Sequence, residues 1–247
     1  MDKALFIAMS GAKQTMLAQQ AHANNLANVK TTGFKEDFTQ ARSMPVYGEH
    51  HPTRAYAMTE RPGTNFDAGP LIQTGNNLDI AIKGDGWMAV QAEDGTEAYT
   101  RAGDLNIDIN GQLRTGKGLP VLGNGGPIVL PPSAKIEIGA DGTISVLPLG
   151  AAAVGLAQVD RIRLVNPDSA DLEKSEDGLV HLKDGVAPPD LDGAIQVAPG
   201  FLEGSNVNAV SALTDILSLS RQYELQVKLM SQADQISQST ARLLQFS

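Results

Sequence analysis

The sequence has no cysteine, one tryptophan and only 4% aromatic residues across 247 positions. The first absence excludes disulfides, thiolate catalysis and cysteine-based zinc sites. It suits a cytosolic protein or a chain that must travel unfolded and uncrosslinked. The scarcity of rings, set beside 25 glycines, points to many turns and small packed contacts rather than one large enzyme-like core. No apolar run reaches the roughly 18 residues of a membrane helix, so no membrane insertion is expected. The opening MDKALFIAMSGAKQTM is interrupted by Ser10, Gly11 and Lys13 after a short apolar stretch, and it does not read as a cleavable secretory signal.

A basic stripe is missing too. The net charge is −9, with +3 in residues 1–35, a balance of acids and bases in 205–247, and therefore −12 between them. An acidic body with near-neutral arms argues against nucleic acid, whose phosphates need a cationic surface.

What is present is helical periodicity at both ends. Leu5, Met9, Ala12, Met16, Gln19, Ala23 and Leu26 recur in steps of four and three, the spacing that sets a narrow stripe along one helix. Near the other end, Leu213, Ile216, Leu219, Tyr223, Val227, Met230, Ala233, Ile236, Thr240 and Leu243 do the same in a stretch free of Gly and Pro. Ser211 or Asn208 is the candidate cap of this second helix, and Asp215 lies in its first turns, where the helix dipole favours an acid. Isolated helices of such length are marginal in water, and fixing them costs about 1–2 kcal/mol per residue in backbone entropy. The arms therefore need partners, either each other or neighbouring copies.

Between the arms, short runs such as DIAIKG, WMAVQA, IEIGA, TISVLP and DRIRLV alternate with turn signals at Gly95, Asn110-Gly111, Asp141-Gly142 and Asp184-Gly185. These predict a mainly antiparallel β domain, with residues 93–115 read as three strands and two turns. Residues 43–77 carry Pro45, Pro52, Pro62 and Pro70 without a steady period, as an extended connector would.

Catalytic constellations fail one by one. Gly111 to Lys117 fits the start of a phosphate-binding loop, yet Gly118 stands where Ser or Thr must hold magnesium, and no helix follows. Asn106, Asp108, Asn110 and Gly111 imitate a calcium loop, but Lys117 takes the place of its closing Glu. Gly84-Asp85-Gly86-Trp87 leads into a strand rather than a nucleotide-binding helix, which leaves Trp87 as a core anchor. His50 and His51, adjacent on an extended segment, point apart, and neither His22 nor His181 has a sequence-local partner arranged for a site. Ser10, Ser205 and Ser211 lack a nucleophile-elbow setting. The reading is a non-enzymatic chain with no metal, cofactor or small-molecule substrate.

One stretch carries a more specific signal. ANNLANVKTTGFKED resembles the N-terminal signature of the flagellar axial proteins, the rod and hook subunits, close to N-N-L-A-N-x-x-T-x-G-[FY]-[KR]: Asn24, Asn25, Leu26, Ala27, Asn28, Thr31, Thr32, Gly33, Phe34 and Lys35 all fit. Leu202, Glu203, Gly204, Ser205, Asn206 and Val207 resemble the start of the family's C-terminal segment, followed by Arg221 to Glu224. LDIAIKGDGW and AYTRAGDL resemble its body. Gly204, Trp87, the opening MDKALFIAMSGA and the total length favour a proximal-rod member over a distal-rod one.

The resemblance implies an α+β fold in which residues 1–34 form an N-terminal axial helix and turn, and 35–75 an extended connector. Residues 76–198 would then form the central β domain, 199–209 a return connector and 210–247 a C-terminal axial helix. The helices would pair in a coiled-coil-like axial domain. It further implies a torque-transmitting structural subunit of the basal body, crossing the periplasm, with other rod proteins and the flagellar export apparatus as partners and with type III export without a cleaved signal. The residues implied in assembly are the signature positions together with Leu5, Met9, Ala12, Met16, Leu213, Ile216, Leu219, Tyr223, Val227 and Met230. The alternatives are a distal-rod subunit or, outside the family, a secreted β-domain binding module or cell-wall hydrolase with dimerising arms; the missing acid–base constellation disfavours the hydrolase.

Overall fold

Residues 2–47, 54–148, 156–175 and 177–245 are described by the computed structural model. They fall into two units, the first made of residues 1–28, 37–65 and 207–247 and the second of residues 29–36 and 66–206. His50 and His51 lie outside the described residues.

The first unit contains both helices. Helix α1 spans Asp2–Ala27 and closes on its own asparagines: the Asn28 N–H donates to the carbonyls of Asn24 and Asn25, and the Asn28 amide donates to Asn24 O at 3.0 Å. Helix α2 spans Ala209–Gln245. Of its two candidate caps Asn208 serves, its Oδ1 accepting from Val210 N at 3.0 Å and Ser211 N at 3.3 Å. The pairs Thr15–Gln226 and His22–Asp215 set the helices antiparallel.

The segment expected as a featureless connector holds an antiparallel hairpin, β1 (Asp37–Val46) and β2 (Arg54–Thr64). Its prolines hid it. In a two-stranded ribbon both strands are edges, so Pro45 is tolerated within β1 and Pro62 falls in the bulge between the pairs Phe38–Gly63 and Gln40–Glu60. Ser10 Oγ donates to Ala57 O at 3.1 Å and joins α1 to β2.

The second unit is an antiparallel β body. Its largest sheet has five strands in the order Leu164–Val165, Trp87–Gln91, Glu97–Thr100, Val180–Leu182 and Leu172–Lys174. A three-stranded meander, Ser133–Ile138, Thr143–Pro148 and Ala157–Arg161, turns at Asp141-Gly142 as the sequence indicated. Strands Leu105–Ile107 and Leu113–Thr115 pair across Asn110-Gly111, so the apparent calcium and phosphate loops are an ordinary hairpin. The period of two along Trp87–Gln91 divides the core. Met88 and Val90 join the larger cluster with Ile80, Leu113, Val121, Ile128, Ile144 and Ile162, whereas Trp87 and Ala89 join Tyr99, Leu172 and Val180 on the opposite face.

Half-buried Asp104 bridges Asp79 in the β body. Burial pushes its carboxyl above the ordinary value of 3.8, and the Asp79 carboxylate adds to this against its own backbone N–H and Lys117. An acid raised on folding favours the folded state at low pH, and this contribution is lost as pH rises through the folded-state value. Asp104→Asn is therefore expected to stabilise the body at neutral pH, the gain shrinking towards zero as pH falls to about 3.8. Urea unfolding followed by the emission of Trp87, compared at pH 7 and pH 4, measures it.

Candidate functional site

The two signature segments meet inside the β body. Gly33, with φ +66°, lies so close to the backbone of Arg101 and Ala102 that a β-carbon there would stand 2.4 Å from both. Only glycine fits. Its N–H donates to Glu203 O at 2.8 Å, and Lys35, two residues on, is buried. Lys35 Nζ reaches Glu203 Oε1 at 2.7 Å and donates to Asp67 O at 2.7 Å. Arg101 Nη1 reaches Glu203 Oε2 at 3.1 Å, while its other nitrogens donate to the carbonyls of Gly84 and Gly86. The three charged side chains are no more than 3% exposed. Burial holds the Lys35 ammonium below its usual range, outweighing the opposing pull of Glu203.

Aromatic rings complete this clasp. Arg101 lies 5.4 Å and Lys35 6.0 Å from the centroid of Trp87, against which Phe66 packs edge-on at 5.4 Å. Lys174 Nζ donates to Lys35 O at 2.6 Å and stands 3.8 Å above Phe34. Leu202 pairs with Ile72 in a two-stranded ladder, the Gly204 N–H donates to Pro70 O, and Ser205 and Val207 are buried. Asn206 bridges backbones: its Oδ1 accepts from Glu36 N at 2.8 Å and its Nδ2 donates to Asp67 O at 3.1 Å. Half-buried Thr32 completes the turn.

Asn25 does the matching work in the first unit. Buried completely, its amide donates to Asp37 O at 2.9 Å and accepts from Asp37 N at 3.1 Å, locking α1 to the start of β1. Asn24 and Ala27 face solvent, and Leu26 is half-buried.

The helix faces depart from the heptad stripes. On α1 the packed positions are Ala8, Gly11, Ala12, Thr15, Gln19 and His22, whereas Leu5, Met9, Met16 and Ala23 are exposed. Close approach explains the rotation: a β-carbon on Gly11 would stand 3.0 Å from Gln226 Nε2, and Gln226 bonds Thr15, so small and polar residues occupy this seam. On α2, Ile216, Leu219, Met230 and Ala233 are half-buried, but Leu213, Tyr223, Val227 and Ile236 are exposed. So are Phe6, Leu17, Leu217, Leu225 and Leu229. An open apolar groove of about 630 Å³ lies between Ile7, Ala8 and Gly11 of α1, Ala55 and Ala57 of β2, and Leu229 and Ile236 of α2.

His181 has a sequence-local carboxylate neighbour, contrary to expectation, whereas the one beside His22 is distant in sequence. His22 Nδ1 lies 3.9 Å from Asp215, across the helix seam, and His181 Nε2 lies 3.3 Å from Asp177 at a turn. The first pairing needed tertiary structure to be seen; the second needed the turn at Asp177 that brings two near residues face to face. Among the described residues no group of three or more His, Asp or Glu is placed to hold a metal, and no helix is long and apolar enough to cross a membrane. Sequence reasoning also missed Arg101, whose signal was a lone guanidinium in the buried run AYTRAG.

Known families match the same segments. Residues 5–35 match the family described as flagella basal body rod protein, residues 81–146 the flagellar hook protein FlgE/F/G D1 domain, and residues 198–243 the flagellar basal body rod FlgEFG protein C-terminal region. The chain is 40% identical over 252 residues to the flagellar basal-body rod protein FlgF of Escherichia coli (strain K12), covering 100% of both. It is 35% identical to FlgF of Caulobacter vibrioides, covering 99% of this chain and 98% of that one. To FlgG of Agrobacterium fabrum it is 33% identical, covering 98% and 99%.

Gly33→Ala tests the clasp's close approach. Added bulk against fixed backbone, in a left-handed conformation, is expected to cost about 1–3 kcal/mol in urea unfolding monitored at Trp87.

Proposed function

The chain belongs to the flagellar basal-body rod protein family and is a structural subunit of the proximal rod, and we propose that neighbouring rod subunits cover the apolar faces its two helices leave open. The exposure of Met9, Met16, Leu17, Leu217, Leu225 and Leu229 carries this reading. On α2, Ala212 alone is buried among the described side chains, so the helix presents most of its length to whatever packs beside it. The heptad spacing supports coiled-coil-like packing of these faces in the assembled rod. Contacts between unlike faces of successive subunits generate an open helical stack, which suits a shaft that transmits torque. Other rod proteins of the family are the natural neighbours.

The absence of cysteine supports passage of the unfolded chain through the flagellar type III export apparatus, without a cleaved signal, into the rod across the periplasm. Asn24 and Ala27, exposed where α1 ends, are the signature positions left to meet a neighbour.

Met16→Asp and Leu225→Asp place a charge on faces that are solvated in the single chain. Each is expected to leave the helical circular dichroism of the purified chain unchanged while abolishing motility and recovery of the protein in isolated basal bodies. Normal motility with both variants would contradict the reading.

A further inference from the structure

Five alternating segments build the two units, so the chain passes between them four times, after residues 28, 36, 65 and 206. Glu203 is bonded to the short segment 29–36 that joins the first two passages and to the chain just after the third. Its carbonyl accepts from Gly33 N, and its Oε1 accepts from Lys35 Nζ at 2.7 Å and Gly69 N at 2.9 Å; Glu203 itself lies just before the last passage. Its Oε2 takes Arg101, which is anchored in the body by Gly84 and Gly86.

We propose that Glu203 is a positioning residue that ties all four chain passages to the β body, so that the segments leading to both helices and to the hairpin order together. The chemistry suits one carboxylate, since its two oxygens offer about four acceptor directions and gather Lys35, Gly69 and Arg101 from separate segments, beside the main-chain bond to Gly33. No apolar side chain does this. Burial places the role inside the chain: Glu203 is 0% exposed, Lys35 3% and Arg101 4%, so these positions are not surfaces for a neighbouring subunit. The signature thus carries two jobs, with Lys35, Glu203 and Asn206 holding the passages and the exposed helix faces left for assembly. The positioning role of Glu203 does not depend on the rod reading.

Amide hydrogen exchange of the full chain tests it, with peptides covering 29–36 and 66–70 and strand 143–148 as control. Glu203→Gln leaves two buried cations without their counter-charge. It is expected to speed exchange at Gly33 and Gly69 together, by at least about tenfold, with the control unchanged. Glu203→Gln/Lys35→Met removes one cation along with the anion but also the bonds of Lys35 to Glu203 and Asp67, so both segments should still exchange faster than in the wild type. Loss in one segment only, loss in neither, or wild-type protection in both segments of the double variant would overturn the proposal. If Glu203→Gln also loosens the control strand, Arg101→Met decides, because the hydrogen bonds of Arg101 reach residues 66–70 only through Glu203: faster exchange there supports the shared tie, and wild-type exchange there refutes it.

Discussion

A lysine, an arginine and one glutamate sit out of water where segments from residues 33–35, 69, 101 and 203 converge. Each charge in such a place is costly unless all are paired, and removing one partner typically costs about 3–5 kcal/mol. That constraint reaches outward. Gly33 must be glycine because it rests on the backbone that carries Arg101, and Gly69 must be glycine because a β-carbon there would stand 2.1 Å from Gly204 O. Trp87 and Phe66 shield the cations, and Lys174 covers Phe34. The signature segments of the two ends are thus held by one polar core.

The first unit is arranged on a different principle. Its seam is lined by Ala12, Thr15, Gln226 and Ala212, small or polar groups that let helices approach without burying much apolar area. Many of the larger apolar residues of both helices, among them Phe6, Met9, Met16, Leu217, Leu225 and Leu229, are left outside. A helix pair so constituted gains little from its own contact and much from a neighbour, which is what an assembling shaft requires. One chain therefore combines a body that satisfies its own charges with helices that do not satisfy their own apolar surface.

How much of this the sequence disclosed depended on the range of the interaction. The two terminal helices, the Asn110-Gly111 and Asp141-Gly142 turns and the strand character of WMAVQA are written in local periodicity and turn chemistry, and all appear in the fold. The 37–64 hairpin was obscured because its prolines are permissible only when both strands are edges, a fact of pairing rather than of composition. The heptad stripes marked apolar positions correctly but not which face turns inward, since Gly11 and Gln226 set that face by approach distance. Lys35, Arg101 and Glu203 are separated by scores of residues. Their partnership leaves no local trace, although the motif around Lys35 and the one around Glu203 were each visible.

The most direct measurement is amide hydrogen exchange across residues 209–245, comparing the free full-length chain with the same protein in purified basal bodies. Rapid exchange is expected along most of α2 in the free chain, with strong added protection over Leu217 to Ile236 once neighbours cover it. Equal protection in both states would mean that the helix pair is already complete in one chain, and would contradict the account.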